Sequence, residues 1–173
     1  PTRLYERAGT IQSADQSDSF MSRVISWKMN TLLALDRPLV GGGFSAMEDP
    51  KVFSRYIGQF GLLDILPTDV PVMTRAAHSI YFQILGEHGF VGLFLFLLIW
   101  GLVWRSAGKL RIQGRQQEQT MWLSHLGAMC QVSLAGYAVG GAFLSLAYFD
   151  LPYNLLVLVV LGRQWLDGKR WLV

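Results

Sequence analysis

Between Thr120 and Phe149 the chain carries no Asp, Glu, Lys or Arg. About 20 apolar residues cross a bilayer as a helix, so this run spans with length to spare. A second long run, Ala76–Trp104 (AAHSIYFQILGEHGFVGLFLFLLIWGLVW), carries a histidine at its mouth and closes on tryptophans just before a basic loop. Glu87 and His88 interrupt its outer third, and the rest is uncharged. A third run, Tyr153–Leu161, reaches spanning length only if Arg163 snorkels and Trp165 lies at the interface. Of the 173 residues, 51% are hydrophobic and 16% charged, and the mean hydropathy is +0.31. That is too little charge to cover a soluble domain. The sequence predicts an all-α integral membrane protein with three transmembrane helices, at about 79–104, 120–149 and 151–167.

The cations orient these spans. Arg105, Lys109, Arg111 and Arg115 stand in the first loop against a single Glu118, and Lys169 and Arg170 lie in the tail. Positive residues concentrate on the cytoplasmic side, so loop and C-terminus are expected inside. Residues 1–77 and the tip near Asp150 then lie outside, and the domain boundary falls between 77 and 78. The basic residues form no single stripe, which argues against a nucleic-acid partner. One cysteine, Cys130, excludes an internal disulfide framework and a Cys-rich metal site. The chain begins with Pro1 rather than Met and has no signal peptide, so it reads as a piece of a longer polypeptide whose earlier helices lie upstream.

The outer segment contains one clear helix. Ser17 or Asp18 can cap a start near Ser19, and Phe20, Val24, Trp27, Met29, Leu32 and Leu33 then recur at helical spacing up to Pro38. Arg23 and Lys28 interrupt the pattern, so the helix is amphipathic and too charged to span. It is expected on the membrane surface or over a cavity. Next comes PLVGGGF, with Gly41, Gly42 and Gly43 in succession. Such a turn is either flexible or lets the backbone approach a ligand closely. It lacks the lysine and Ser/Thr of a phosphate-binding P-loop. A short helix is expected over Lys51–Phe60, and the prolines at 67 and 71 break any regular structure beyond it.

His78, at the mouth of the first span, is the sharpest chemical candidate, because a neutral imidazole can accept a proton from a hydroxyl. Arg23, and Arg75 three residues before His78, are candidates to hold phosphate through their rigid donor forks. Each also has a plain reading, as an interfacial histidine or a solvated charge. His88 and His125 read as structural. Glu87 lies two and a half turns beyond His78 if the helix is continuous, on roughly the opposite face. It is expected to pack or hydrogen-bond rather than to partner the histidine. No metal-ligand spacing occurs on any one element.

Several of these residues together resemble the O-antigen ligase and O-antigen polymerase superfamily. His78 and Gly89 stand as H-x10-G, and the stretches S-R-V-I-S-W at Ser22–Trp27 and D-R-P-L-V-G-G-G-F at Asp36–Phe44 are similar to its outer loop. E-R-A-G-T-I at Glu6–Ile11 and G-E-H-G-F-V-G look closest to the O-glycosylation ligases of exosortase-associated systems. The resemblance implies a GT-C-like membrane glycosyltransferase in a bacterial inner membrane, with residues 1–77 periplasmic. It implies an undecaprenyl-pyrophosphate-linked glycan as donor, a lipid A–core sugar or a protein as acceptor, inverting transfer, and no cofactor or metal. His78 falls on the family's proposed base and Arg23 on its outer-loop arginine, expected to hold the pyrophosphate. Gly41, Gly42, Gly43 and Gly89 support them. A further family arginine belongs to an earlier helix, expected upstream of Pro1. Position 37, often histidine in this loop, is arginine here. A polymerase, whose acceptor is another lipid-linked glycan, fits the same residues. A transporter would place ionisable groups near the bilayer middle, where the run Thr120–Phe149 has none. A non-catalytic assembly subunit would tolerate loss of both His78 and Arg23.

Overall fold

The computed structural model describes residues 20–56, 63 and 76–169, and every regular element among them is helical. The chain divides into two compact units, Pro1–Gly92 and Leu93–Val173. Both ends of the H-x10-G motif, His78 and Gly89, lie in the first unit.

Helix α1 covers residues 20–36, as its periodicity predicts. Its buried face carries Val24, Ile25, Met29 and Leu33, and also Ser22, Ser26, Lys28 and Asn30. Burying hydroxyl and amide groups is costly unless they are bonded. Here Ser26 Oγ donates to the Ser22 carbonyl at 3.1 Å and Asn30 Nδ2 to the Ser26 carbonyl at 2.8 Å. These i−4 bonds satisfy the side chains within the helix itself. Pro38 ends α1, and the chain turns through the glycines into a single 3-10 turn, Ala46–Glu48.

Helix α2, Pro50–Tyr56, starts where its sequence dictates. Asp49 Oδ1 accepts the Lys51 amide at 2.8 Å, and Pro50 fills the first helical position, where no amide is needed. The expected helix over Lys51–Phe60 begins one residue earlier; residues 57–60 lie outside the described residues. Ile25, Met29, Leu33, Ala46, Met47, Phe53 and Tyr56 form the core that joins α1, the turn and α2.

Helix α3, Ile80–Gly114, is interrupted at Gly89 (φ 68°, ψ −168°) and is the one described helix long and apolar enough to cross a membrane. It outlasts the expected end at Trp104, so Arg105, Lys109 and Arg111 stand on its last turns rather than in a loop. Charges do not stop a helix; they only leave the hydrocarbon. Its apolar side chains are largely uncovered, Phe94 at 63% and Leu102 at 55%. A soluble core helix would bury them.

Within the second unit, the last part of α3 is joined by α4, Met121–Gly141, and α5, Asp150–Lys169. On α4 the buried stripe runs Leu123, Gly127, Cys130, Leu134, Tyr137, Gly141, alternating steps of four and three. A Cβ on Gly127 would stand 2.6 Å from the Ala107 carbonyl, so glycine sets the closeness of the α3–α4 crossing. Gly136 and Gly140 have open space at that position. They lie off the stripe. Val103, Ala107, Cys130, Leu134, Leu155 and Val159 form the core of the three helices. The second expected span runs to Phe149, but α4 stops at Gly141, and the Tyr137 hydroxyl donates to the Leu146 carbonyl at 2.8 Å across the bend beyond it.

Candidate active site

The motif H-x10-G brackets one short helix. His78 stands two residues before the start of α3, and Gly89 is the point where α3 breaks. Both ends adopt left-handed backbone, φ 48° at His78 and 68° at Gly89. A non-glycine residue held there costs roughly 1–2 kcal/mol, so its surroundings must enforce it. Ala77, Ser79 and Ile80 are all buried, and the half-buried His78 is pinned between them.

The break at Gly89 is repaired from outside the helix. A continuous helix would bond the Phe90 amide to the Gly86 carbonyl and the next amide to that of Glu87. Instead Phe90 N donates to the Pro38 carbonyl at 2.8 Å, while Gly42 N and Gly43 N donate to the carbonyls of Gly86 and Glu87, both at 2.9 Å. The glycine turn thus supplies the donors and acceptor that the interruption leaves without partners. Glycine is required on both sides. A Cβ on Gly41 would stand 2.5 Å from the Glu87 carbonyl carbon, and one on Gly89 would stand 2.5 Å from the Pro38 oxygen. The close approach predicted for this turn is therefore to the backbone of α3. Gly89 and His78 lie at opposite ends of the half-helix, about 16 Å apart at 1.5 Å per residue. A Cβ on Gly89 would meet Pro38 and Gly41 and one on Gly42 would meet Leu33 and Ala46, none of them the imidazole; a Cβ on Gly43 would meet nothing.

Glu87 completes this joint. Its side chain is buried, and Oε1 accepts the Ser45 amide at 3.0 Å and Gln83 Nε2 at 3.5 Å. This is the hydrogen-bonding role expected for it. His88 packs edge-on against Phe44, with ring centroids 4.8 Å apart, which fits its structural reading.

Two contacts fix the register of α1 against this half-helix. Trp27 stacks on Phe82 at 5.1 Å and 11°. One turn further along both helices, Asn30 lies so close to Gly86 that a Cβ there would stand 2.0 Å from Asn30 Oδ1. The helices therefore run parallel. Arg23 lies one turn before Trp27 on α1, and His78 lies four residues before Phe82, just ahead of the first turn of α3. Arg23 Nε is buried with no hydrogen-bond partner, and so is the Gln83 side-chain oxygen. Buried polar atoms are nearly always bonded, so a donor and an acceptor left over in one region mark a place that handles polar groups. Sequence reasoning misses Gln83. Its one signal is a single amide in the apolar string Ile80–Leu85. Arg75 lies outside the described residues.

The profile of the O-antigen ligase family matches residues 2–97. The chain belongs to that family. The match takes in α1, the glycine turn, α2 and the bracketed half-helix, and ends early in the apolar part of α3. The O-antigen ligase family comprises membrane enzymes of the ligase and polymerase type, in keeping with the uncovered apolar helix described above. No curated protein and no solved structure matches the chain.

Proposed function

We propose that the protein transfers a glycan from undecaprenyl pyrophosphate to a hydroxyl acceptor at the periplasmic face of the bacterial inner membrane. The observation that supports this reading is the packing of α1 against the start of α3 through Trp27–Phe82 and Asn30–Gly86, with Arg23 and His78 each four residues before the first of these contacts. His78 takes the proton of the acceptor hydroxyl as its oxygen attacks the anomeric carbon. The bond from that carbon to the pyrophosphate oxygen breaks with its electron pair, and configuration inverts. Arg23, with Arg75, neutralises the charge that gathers on the departing pyrophosphate. The start of α3 adds the positive end of a helix dipole beside His78. Pyrophosphate is already a good leaving group, so one base and fixed positive charge suffice without a metal. The glycine joint serves this site by position: it holds the half-helix at the break.

On this reading α4 and α5 are the second and third spans of a GT-C-like enzyme. Their lengths, 21 and 20 residues, match a core of about 30 Å at 1.5 Å per residue. Apolar side chains stand uncovered along α4, Met129 at 67% and Val132 at 73%. Helices preceding Pro1 would supply the remaining family arginine, and the C-terminus would be cytoplasmic. The acceptor is a lipid A–core sugar or a protein side chain, the latter favoured by the resemblance to exosortase-associated ligases.

The test supplies lipid-linked glycan and acceptor to the protein in proteoliposomes. Transfer is expected to fall at least 100-fold in His78→Ala, the low end of general-base contributions. Undiminished transfer would end the proposal. A single transferred glycan supports the ligase; a ladder of lengthened lipid-linked glycans indicates the polymerase instead.

A further inference from the structure

Away from His78, α1 and α2 enclose a cleft of about 140 Å³ lined by Leu33, Arg37, Gly42, Lys51, Val52, Arg55 and Tyr56. Its floor is apolar and fixed: Leu33 is 1% and Tyr56 5% exposed, and both belong to the α1–α2 core. Its rim is basic. Lys51 and Arg55 stand one turn apart on α2, and Arg37 faces them from the end of α1. Two nearby carboxylates offset part of this charge, and both are engaged: the Tyr56 hydroxyl donates to Asp36 Oδ2 at 2.6 Å, and Asp49 Oδ1 accepts the Lys51 amide at 2.8 Å. Arg55 also lies over the Tyr56 ring, 6.0 Å from its centroid. With its proton committed to Asp36, the phenol oxygen is left as an acceptor.

These features select a ligand. Three cations against two engaged carboxylates call for an oxyanion, which guanidinium groups grip through paired donors. The apolar floor and the phenol call for a small ring with an apolar face and a hydroxyl to donate. The volume suits one ring, since a cavity of about 150 Å³ accommodates benzene. We infer that this cleft binds a single anionic sugar, one ring bearing a carboxylate or a phosphate. In a glycan-transferring enzyme that makes it a subsite for a charged residue of the glycan. The choice of a sugar rests on the transfer reading; the oxyanion preference does not.

The experiment uses the protein in nanodiscs of zwitterionic lipid, with binding read by saturation-transfer NMR. Glucuronate and glucose 1-phosphate are the charged probes, glucose and inorganic phosphate the controls. At least one charged sugar is expected to bind tenfold or more tightly than either control, and the better of the two tells carboxylate from phosphate. Arg37→Gln and Arg55→Gln should each weaken it about tenfold and leave glucose unchanged; both side chains are exposed, so helix content by circular dichroism should hold. Charged sugars that bind no better than glucose in the unaltered protein overturn the oxyanion preference, and inorganic phosphate that binds equally well overturns the sugar. His78→Ala should bind the charged probe normally, so a failure of the transfer chemistry would leave this result standing.

Discussion

The two units are built by opposite rules. In the first, Lys28, Asn30, Ser79 and Glu87 are buried, every left-handed residue of the described chain occurs, and Arg23 Nε and the Gln83 oxygen have no partner. In the second, the helices are regular, the core is Val, Ala, Leu and Cys, the buried polar side chains are Thr120 and Ser124 with Trp100 Nε1 lacking a partner, and positive φ is absent among the described residues. Sequences that specify a fold keep local preference and packing consistent, and depart from that where function demands it. The contrast supports placing the proposed chemistry in the first unit without reference to any motif. The family match covers residues 2–97 and leaves α4 and α5 outside.

The sharpest way to break this contrast is to remove one histidine from each unit. His78→Ala should cost at least 100-fold in transfer rate, the low end of general-base contributions, with helix content unchanged. His125→Ala, on the exposed side of α4, should leave the rate within twofold. Equal effects would mean that the polar first unit is not the seat of the reaction.

Glycines provide the next test, this time of stability. Gly89→Ala forces a Cβ to 2.5 Å from the Pro38 oxygen at a φ of 68°. We expect a loss of about 2–4 kcal/mol from overpacking and backbone strain together, read as a lower unfolding midpoint in detergent. Gly136→Ala meets open space in a regular helix and should stabilise by about 0.5–1 kcal/mol through helix propensity. If both substitutions are neutral, the glycine joint does not hold the break. Glu87→Ala probes the same joint more gently. It leaves the Ser45 amide without its acceptor and should cost about 1–3 kcal/mol.

The same contrast separates what is legible in the sequence from what is not. The body and end of helix α1 are readable, because its apolar period and its proline stop act locally; its expected cap at Ser17 or Asp18 lies outside the described residues. The apolar helices are readable from hydropathy, though not their ends. Arg105–Arg111 looks like a loop because charge after an apolar run suggests that the helix is over, and α4 stops inside an apolar run where only the non-local Tyr137–Leu146 bond marks the bend. The histidine is legible as a group at the mouth of a span. The break at Gly89 is not, since a glycine in an apolar run reads as packing. Its meaning depends on amides contributed by Gly42 and Gly43, more than forty residues away, and no local pattern couples the two. The burial of Lys28 and the partnerless Gln83 oxygen are likewise properties of the packed arrangement.

The smallest expected effect compares two tyrosines, one in each unit. Tyr56 donates to the Asp36 carboxylate at 2.6 Å, and Tyr137 donates to the Leu146 carbonyl at 2.8 Å. Bonds to charged groups are stronger, so Tyr56→Phe should cost about 1–2 kcal/mol and Tyr137→Phe about 1 kcal/mol. Only the first should depend on pH in a way the fold explains. Burial, and then the bond and charge of Asp36, push the Tyr56 phenol above its ordinary value of 10.0. The folded state therefore holds the phenolic proton more tightly than the unfolded state does. The stability this confers is complete below the unfolded value and is lost as pH climbs through the folded one. Unfolding midpoints measured from pH 8 upward should be flat at first, then decline above about pH 10. That decline should be shallower in Tyr56→Phe than in the unaltered protein. An identical decline in both would show that Asp36 and Tyr56 are not coupled, and would remove the acceptor assigned to the phenol in the basic cleft.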